Sequence, residues 1–423
     1  MNERNDTKKS YKKPELLLPA GSLEVLKIAV LYGADAVYIG GEAYSLRAKA
    51  VNFTEEEMDE GIRFAHAHGA KVYVTANIYA HNADLDGIAA YFTRIEEMEE
   101  KPDALLIADL GVFAAAKRIL PDMELHVSTQ ANTTNYESAR MWYELGAKRV
   151  VCARELSLKE IRELKNRMPE DMELEAFVHG AMCISYSGRC LLSNYFTGRD
   201  ANKGACTHPC RWQYALVEEN RPGEYLPIDE DGHGTYILNS KDLCMVAHIP
   251  ELVGSGIDSF KVEGRMKTAL YVAAAARTYR QAIDDFFTDE ALYESRIAYY
   301  NEQIADCTFR GFTTGFYFGR PDAKAHVYEN SDYIKNYTYL GYVEEKRTDA
   351  DGTFLRLTQK NKFSVGETIE IMTPKGDNIM TAVLRMKDEE GNAISSCPHS
   401  KQIFWVELSQ DADAFDILRR KES

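Results

Sequence analysis

Ala36-Val-Tyr-Ile-Gly40 and Val72-Tyr-Val-Thr-Ala76, with an amphipathic stretch from Thr54 to His68 between them, set the reading of the fold. Neither run alternates apolar with polar residues. Each therefore reads as a strand covered on both faces, the habit of parallel sheets. Thr54 opens Thr-Glu-Glu-Glu, a capping box for the intervening helix, and Gly69 stands where that helix should end. The same unit recurs outward in both directions. Glu15-Leu-Leu-Leu-Pro19 precedes it. Ala104-Leu-Leu-Ile-Ala108, Leu125-His-Val-Ser-Thr129, Arg149-Val-Val-Cys-Ala153, Leu174-Glu-Ala-Phe-Val178 and Ser259-Phe-Lys-Val-Glu263 follow, with Gly146 and Gly256 as further helix stops. Eight strands, each followed by a helix, predict an α/β fold: a (β/α)8 TIM-like barrel over residues 14–290. An open doubly wound sheet is the alternative.

Beyond about residue 285 the texture changes. Residues 291–336 read as a helix and a linker rich in Gly, Phe and Tyr. From Tyr337 the runs Leu340-Gly-Tyr-Val-Glu344, Phe354-Leu-Arg-Leu-Thr358, Thr368-Ile-Glu-Ile-Met372, Met380-Thr-Ala-Val-Leu384 and Ile403-Phe-Trp-Val-Glu407 are short and alternating. Asp351-Gly352, Gly366 and Lys375-Gly376 punctuate them, which predicts a small C-terminal antiparallel β-barrel over 337–415. Residues 1–13 read as a disordered tail.

Apolar residues make up 45% and charged residues 27% of the 423, which excludes disorder, collagen and coiled coil. Asp plus Glu number 66 against 50 Lys plus Arg, a net charge of −16. That argues against coating nucleic acid or anionic membrane non-specifically, but leaves room for a local basic site. No run of about 18 apolar residues predicts a membrane span. The N-terminal stretch lacks the apolar core of a signal peptide, so a cytoplasmic location with reduced thiols is expected. Eight cysteines there read as ligands, catalytic groups or core fillers rather than as disulfides.

In a barrel of this kind the C-terminal strand ends build the site. Here they carry Asn77, Asp109, Thr129, Gln130, Asn132, Arg154, Glu155, His179, Glu263 and Arg265. Any one of them also makes a plausible helix cap or rim residue. One connection is long: a Cys-rich insert after strand seven, residues 181–240, and such loops are usually functional. Cys183, Cys190, Cys206, Cys210 and Cys244 lie in or beside it. Four thiolates suit tetrahedral zinc or an iron–sulfur cluster. The absence of C-x-x-C pairs weakens the zinc-ribbon reading, and unligated thiols are the third option. Cys152, mid-strand, reads as core. From Cys183 to Gln213 the basic residues Arg189, Arg199, Lys203 and Arg211 face one acid, Asp200, and are interleaved with Tyr186, Tyr195, Phe196 and Trp212. That combination stacks unpaired bases and binds their phosphates. The alternative is a solvated loop whose aromatics pack on the barrel.

Glu175-Ala-Phe-Val-His-Gly-Ala-Met-Cys-Ile-Ser-Tyr-Ser-Gly-Arg-Cys-Leu-Leu-Ser193 resembles the signature of the collagenase-like peptidase family numbered thirty-two among those of unknown catalytic type. So do Pro14-Glu-Leu-Leu-Leu-Pro-Ala-Gly-Ser22, Asp35-Ala-Val-Tyr-Ile-Gly-Gly41, Cys206-Thr-His-Pro-Cys-Arg211, Ser240-Lys-Asp-Leu-Cys244 and Lys261-Val-Glu-Gly-Arg-Met-Lys267. The resemblance spans essentially the whole chain. Within the family it is similar to the bacterial tRNA hydroxylation members, implicated in prephenate-dependent 5-hydroxylation of the wobble uridine. Related members hydroxylate ribosomal RNA or act in oxygen-independent ubiquinone synthesis, and several carry a [4Fe–4S] cluster on four cysteines. Carried over by position, the resemblance implies Cys183, Cys190, Cys206 and Cys244 as ligands, with Cys210 as a fifth thiol. It implies tRNA and a small dicarboxylate metabolite, prephenate, as partners. A homo-oligomer or a heteromer with a paralogue stays open.

The family's peptidase label meets little support in the residues. There is no H-E-x-x-H for a metalloprotease and no G-x-S-x-G for an α/β-hydrolase. A Cys183 nucleophile with His179 as base is the best proteolytic candidate, and a cluster ligand cannot also be a free nucleophile. For hydroxylation, Arg154 and Arg265 are the candidates to pair with substrate carboxylates. Gln130, Asn77, Arg189 and Arg211 would also contact substrate, while His179, Glu263 and Arg265 form the catalytic set, with His179 and Glu263 handling protons. A Glu263–Arg265 salt bridge closing the rim is the bland alternative. A zinc-bearing RNA-binding protein without catalysis is a further one.

Overall fold

The computed structural model describes residues 11–41, 52–182, 190, 192–199, 206–207, 209, 212, 215–216, 226–227, 239–306, 308–319, 321, 326–327 and 334–422. The expected tail 1–13 falls mostly outside them. Eight parallel strands form the predicted barrel: β1 (Glu15–Pro19), β2 (Ala36–Ile39), β3 (Lys71–Ala76), β4 (Ala104–Ile107), β5 (Glu124–Val127), β6 (Arg149–Val151), β7 (Glu173–Gly180) and β8 (Ser259–Val262). Each pairs with the next, and β8 pairs with both β7 and β1, Ser259 lying opposite Glu175 on one side and Glu15 on the other. The ring is closed, so the open-sheet alternative falls.

Helices α1 (Leu23–Leu31), α2 (Glu55–Ala67), α3 (Asn82–Glu97), α4 (Leu110–Ile119), α5 (Tyr136–Glu144), α6 (Leu158–Arg167), α7 (Ile249–Gly254) and α8 (Ala269–Thr288) alternate with the strands. The capping box forms as read: Glu57 N donates to Thr54 Oγ1, and Thr54 N to Glu57 Oε2, both at 3.1 Å. Gly69, Gly146 and Gly256 take the left-handed conformation just past their helices.

The charges within the strand runs meet in the lower barrel. Arg149 reaches Glu15 (2.6 Å), Glu173 (2.7 Å) and Glu175 (3.1 Å), while Lys261 donates to Glu175 at 2.6 Å. Tyr73 and Ser259 donate to Glu15 as well. Burial alone would raise the Glu15 carboxyl, but the charge and hydrogen bonds of Arg149 bring it down to about 2. This network lies towards the N-terminal ends of the strands, away from the mouth where such barrels carry their chemistry.

The C-terminal domain comprises β9 (Tyr337–Tyr342), β10 (Glu345–Asp349), β11 (Gly352–Thr358), β12 (Thr368–Met372), β13 (Ile379–Lys387), β14 (Ile403–Leu408) and β15 (Ile417–Lys421). They pair antiparallel in the order β9-β15-β12-β13-β14-β11-β10. Val343 and Glu344 carry the chain from one edge to the other, Val343 N bonding Asp416 O and Glu344 N bonding Arg356 O. The expected boundary at 415 needs correction, because the sheet runs on to Lys421. Three of the five residues of Ile417-Leu-Arg-Arg-Lys421 are basic, yet Arg419 is 0% exposed. It pairs with Asp306 at 2.8 Å and with Glu370, and stacks 3.9 Å over the Tyr337 ring. The domain rests on α1 and α8: Tyr32 donates to Met372 O (2.6 Å) and Arg277 to Asn378 (2.8 Å).

Candidate active site at the barrel mouth

The polar ring is present, but its members divide. Asp109 caps α4, accepting from Val112 N at 3.0 Å. Thr129 is buried and donates to Cys152 O, and Asn77 donates to Ser128 Oγ at 3.2 Å. For Asp109 and Thr129 these bonds are structural. Cys152 is core, as read, its thiol pushed up to about 12 by burial. Glu155 is half-buried, and burial raises its carboxyl.

The cationic groups are wired differently from the simple rim pair. Glu263 does not bridge to Arg265; it accepts from Arg154 Nη2 at 2.9 Å. Arg154 also donates to Ala181 O at 2.9 Å and lies 3.9 Å over the Phe177 ring. Arg265 turns towards β3, donating to Thr75 (3.2 Å) and Asn52 (2.9 Å), both neutral. The motif glycine Gly21 makes this turn possible, because a Cβ there would stand 2.2 Å from the Arg265 carbonyl oxygen. Arg154, Glu263 and Arg265 thus gather at the mouth from β6 and β8.

His179 is not with them. Along β7, Phe177 pairs with Lys261 but His179 pairs with Val262, so Val178 is the extra residue of a bulge. Glu175 and Phe177 meet the interior cations Lys261 and Arg149 or Arg154. His179, thrown out of that alternation, sits among Tyr271, Tyr279 and Phe312 with its ring 1% exposed. Burial, helped by the nearby Lys267 charge, lowers it to about 3. It stays neutral and shielded, which corrects its placement as a proton-handling group at the rim.

The bulged end of β7 leaves the barrel and pairs antiparallel with a short strand, Asp242–Cys244, Cys244 opposite His179. The Cys244 thiol is partly buried, 3.9 Å from the Tyr279 hydroxyl, and burial pushes it up to about 11. Cys190 is half-buried and Cys206 exposed. Thr207 N donates to Ser193 Oγ at 3.0 Å, tying the Cys206 segment to the helix Leu192–Thr197 that follows Cys190. Cys183, Cys210, Arg189, Arg211, Lys203 and Tyr186 lie outside the described residues. Among the described residues no three His, Cys, Asp or Glu side chains group as metal ligands. Tyr195, Phe196 and Trp212 do form a surface cluster, with ring centroids 5.2 and 6.3 Å apart and Tyr195 82% exposed. They do not pack away on the barrel.

The model "Peptidase family U32" matches residues 21–327, and "Peptidase family U32 C-terminal domain" matches 335–419. The chain belongs to peptidase family U32. It is 39% identical over 409 residues to tRNA hydroxylation protein P1 of Bacillus subtilis, covering 97% of this chain and 95% of that one. It is 39% identical over 459 residues to tRNA hydroxylation protein P of Escherichia coli, covering 97% of each. The 23S rRNA 5-hydroxycytidine C2501 synthase of Escherichia coli is 36% identical over 270 residues, 64% of this chain and 39% of that protein. Among the described residues no helix is long and apolar enough to cross a membrane.

Proposed function

We propose that this U32 protein hydroxylates tRNA, installing the 5-hydroxyl of the wobble uridine with prephenate as co-substrate. The observation that carries the reading is the near full-length match, at 39% identity, to tRNA hydroxylation proteins of two bacteria. Arg265, which donates to Thr75 and Asn52 at the barrel mouth, receives a carboxylate of the small dianion. Glu263, held by Arg154, is the proton acceptor at the mouth. The exposed Tyr195, Phe196 and Trp212, with Arg189 and Arg211 nearby in sequence, stack and hold unpaired nucleotides. Cys183, Cys190, Cys206 and Cys244 are the ligands proposed for a [4Fe–4S] cluster, with zinc as the alternative metal. Such a cluster would supply the electron path that side chains lack.

Peptidase chemistry fits poorly, since the base of the Cys183–His179 pair is buried under three aromatic rings and burial weakens its hold on the proton it would have to take up. A strain lacking this gene and its paralogues should lose 5-hydroxyuridine-derived nucleosides from tRNA digests and regain them on complementation. Cys206→Ala should fail to complement, with loss of the metal in analysis and absorbance of anaerobically purified protein. Unchanged nucleosides in the deletion strain, together with peptide cleavage by metal-free protein, would end the hydroxylase reading in favour of hydrolysis.

A further inference from the structure

The loop after β5, Thr129 to Thr133, contains side chains that the fold leaves unanswered. Gln130 Oε1, Asn132 Oδ1 and Thr133 Oγ1 are each buried and without a hydrogen-bond partner. Thr133 is 1% exposed. Buried acceptors in native proteins nearly always find a donor, and three orphans on four consecutive residues call for a common explanation. The loop itself is held firmly. Gln130 O accepts from Tyr79 Oη and from Asn132 Nδ2, the latter at 2.9 Å, so Asn132 keeps its amide oxygen available while its nitrogen is anchored. Asn132 sits at φ 52, in the left-handed region that a non-glycine residue adopts at some cost. Thr129 and Ser128 fasten the base of the loop to neighbouring strand ends. The result is an edge of amide and hydroxyl groups at the barrel mouth, next to the Asn77 side of the ring; Gln130 and Asn132 are partly open to solvent as residues, but the three orphaned oxygens are covered, so a base meets them only as these side chains turn outward.

We infer that this edge reads the hydrogen-bonding face of the target pyrimidine. A uracil presents acceptor, N–H donor and acceptor in a row, and an amide oxygen beside an amide nitrogen answers two of those three positions. The N3–H of the base supplies the donor that Asn132 Oδ1 or Gln130 Oε1 lacks. A cytosine, with an unprotonated N3, offers no donor there and leaves the amide oxygen unanswered. The loop therefore discriminates uridine from cytidine. This inference rests on the tRNA-hydroxylation reading and names the residues that choose the base.

The test uses the full chain and two anticodon stem-loops that differ only in uridine or cytidine at the wobble position. Their binding is measured by fluorescence anisotropy, with a scrambled RNA of equal length as control. Wild type should prefer the uridine stem-loop, and Asn132→Gly and Gln130→Ala should each cut that preference about tenfold. Asn132→Gly is the informative variant, because glycine keeps the left-handed backbone and removes only the amide. A purely conformational role for Asn132 would leave the preference intact. Thermal unfolding of each variant confirms that the fold is kept. Wild type that binds both stem-loops no better than scrambled RNA overturns the tRNA reading and the inference with it. Wild-type discrimination that survives in both variants overturns the inference alone.

Discussion

The two ends of the same barrel treat buried polarity in opposite ways. Near the N-terminal ends of the strands, Arg149 and Lys261 meet Glu15, Glu173 and Glu175, and the Tyr73 and Ser259 hydroxyls donate to Glu15. At the mouth, Gln130, Asn132 and Thr133 keep buried oxygens without partners. A satisfied charge network has nothing left to offer a ligand, whereas an unsatisfied rim does. Burial of a charged residue inside a barrel is no guide to function until its partners are counted.

Breaking the lower network should have the largest effect on stability. Arg149→Met leaves Glu15, Glu173 and Glu175 without their shared cation, and should cost about 3–5 kcal/mol in denaturant unfolding. A loss below about 1 kcal/mol would mean that the network is not the support described. Glu263→Gln probes the other end. It should lower hydroxylation about 100-fold or more while costing clearly less stability than Arg149→Met, measured on the same preparation. If the two variants ranked the other way on both readouts, the division between supporting and reacting ends would be wrong.

Acid pH should separate the regions further, through two groups with distinct windows. Glu15 falls from its usual 4.5 to about 2 in the fold, so its contribution is complete above about pH 4.5 and is lost as pH falls towards 2. His179 falls from 6.5 to about 3, so the unfolded chain takes up this proton first. Stability from keeping His179 neutral is therefore lost as pH drops from about 6.5 towards 3. His179→Phe should flatten the stability profile across that upper window and leave the lower one in place; an unchanged profile would place His179 in water. The smallest effect concerns a cap. Thr54→Ala should cost about 1 kcal/mol and leave activity unaltered.

Much of the barrel was legible because buried parallel strands announce themselves. The run Thr368–Met372 and the opening Glu15–Pro19 match their strands residue for residue. What sequence could not reveal was pairing across distance. Glu263 and Arg265 are two apart and look like a couple, yet the partner of Glu263 is Arg154, 109 positions away. His179 lost its expected place to a single bulged residue, which no local pattern records. β15 lies past the expected end at 415; three of its five residues are basic, and the fold buries one of them between Asp306 and Glu370. The signal that could have found it is the short spacing of Ile417 and Leu418 ahead of the charges.

β8 is hydrogen-bonded on both sides by strands remote in the chain. Its Ser259 contacts Glu15 across 244 positions, and its Lys261 contacts Glu175 across 86, with the Cys-rich insert in between. Closing loops of that length costs more entropy than any neighbouring βα step, so this strand enters the ring late during folding. β8 is therefore a kinetic keystone. Its amides should be the last of the barrel to acquire protection in pulse-labelled hydrogen exchange. Whatever delays the insert also delays the moment at which Glu263 and Arg265 reach the mouth, so the protein has no reactive end until its barrel is complete.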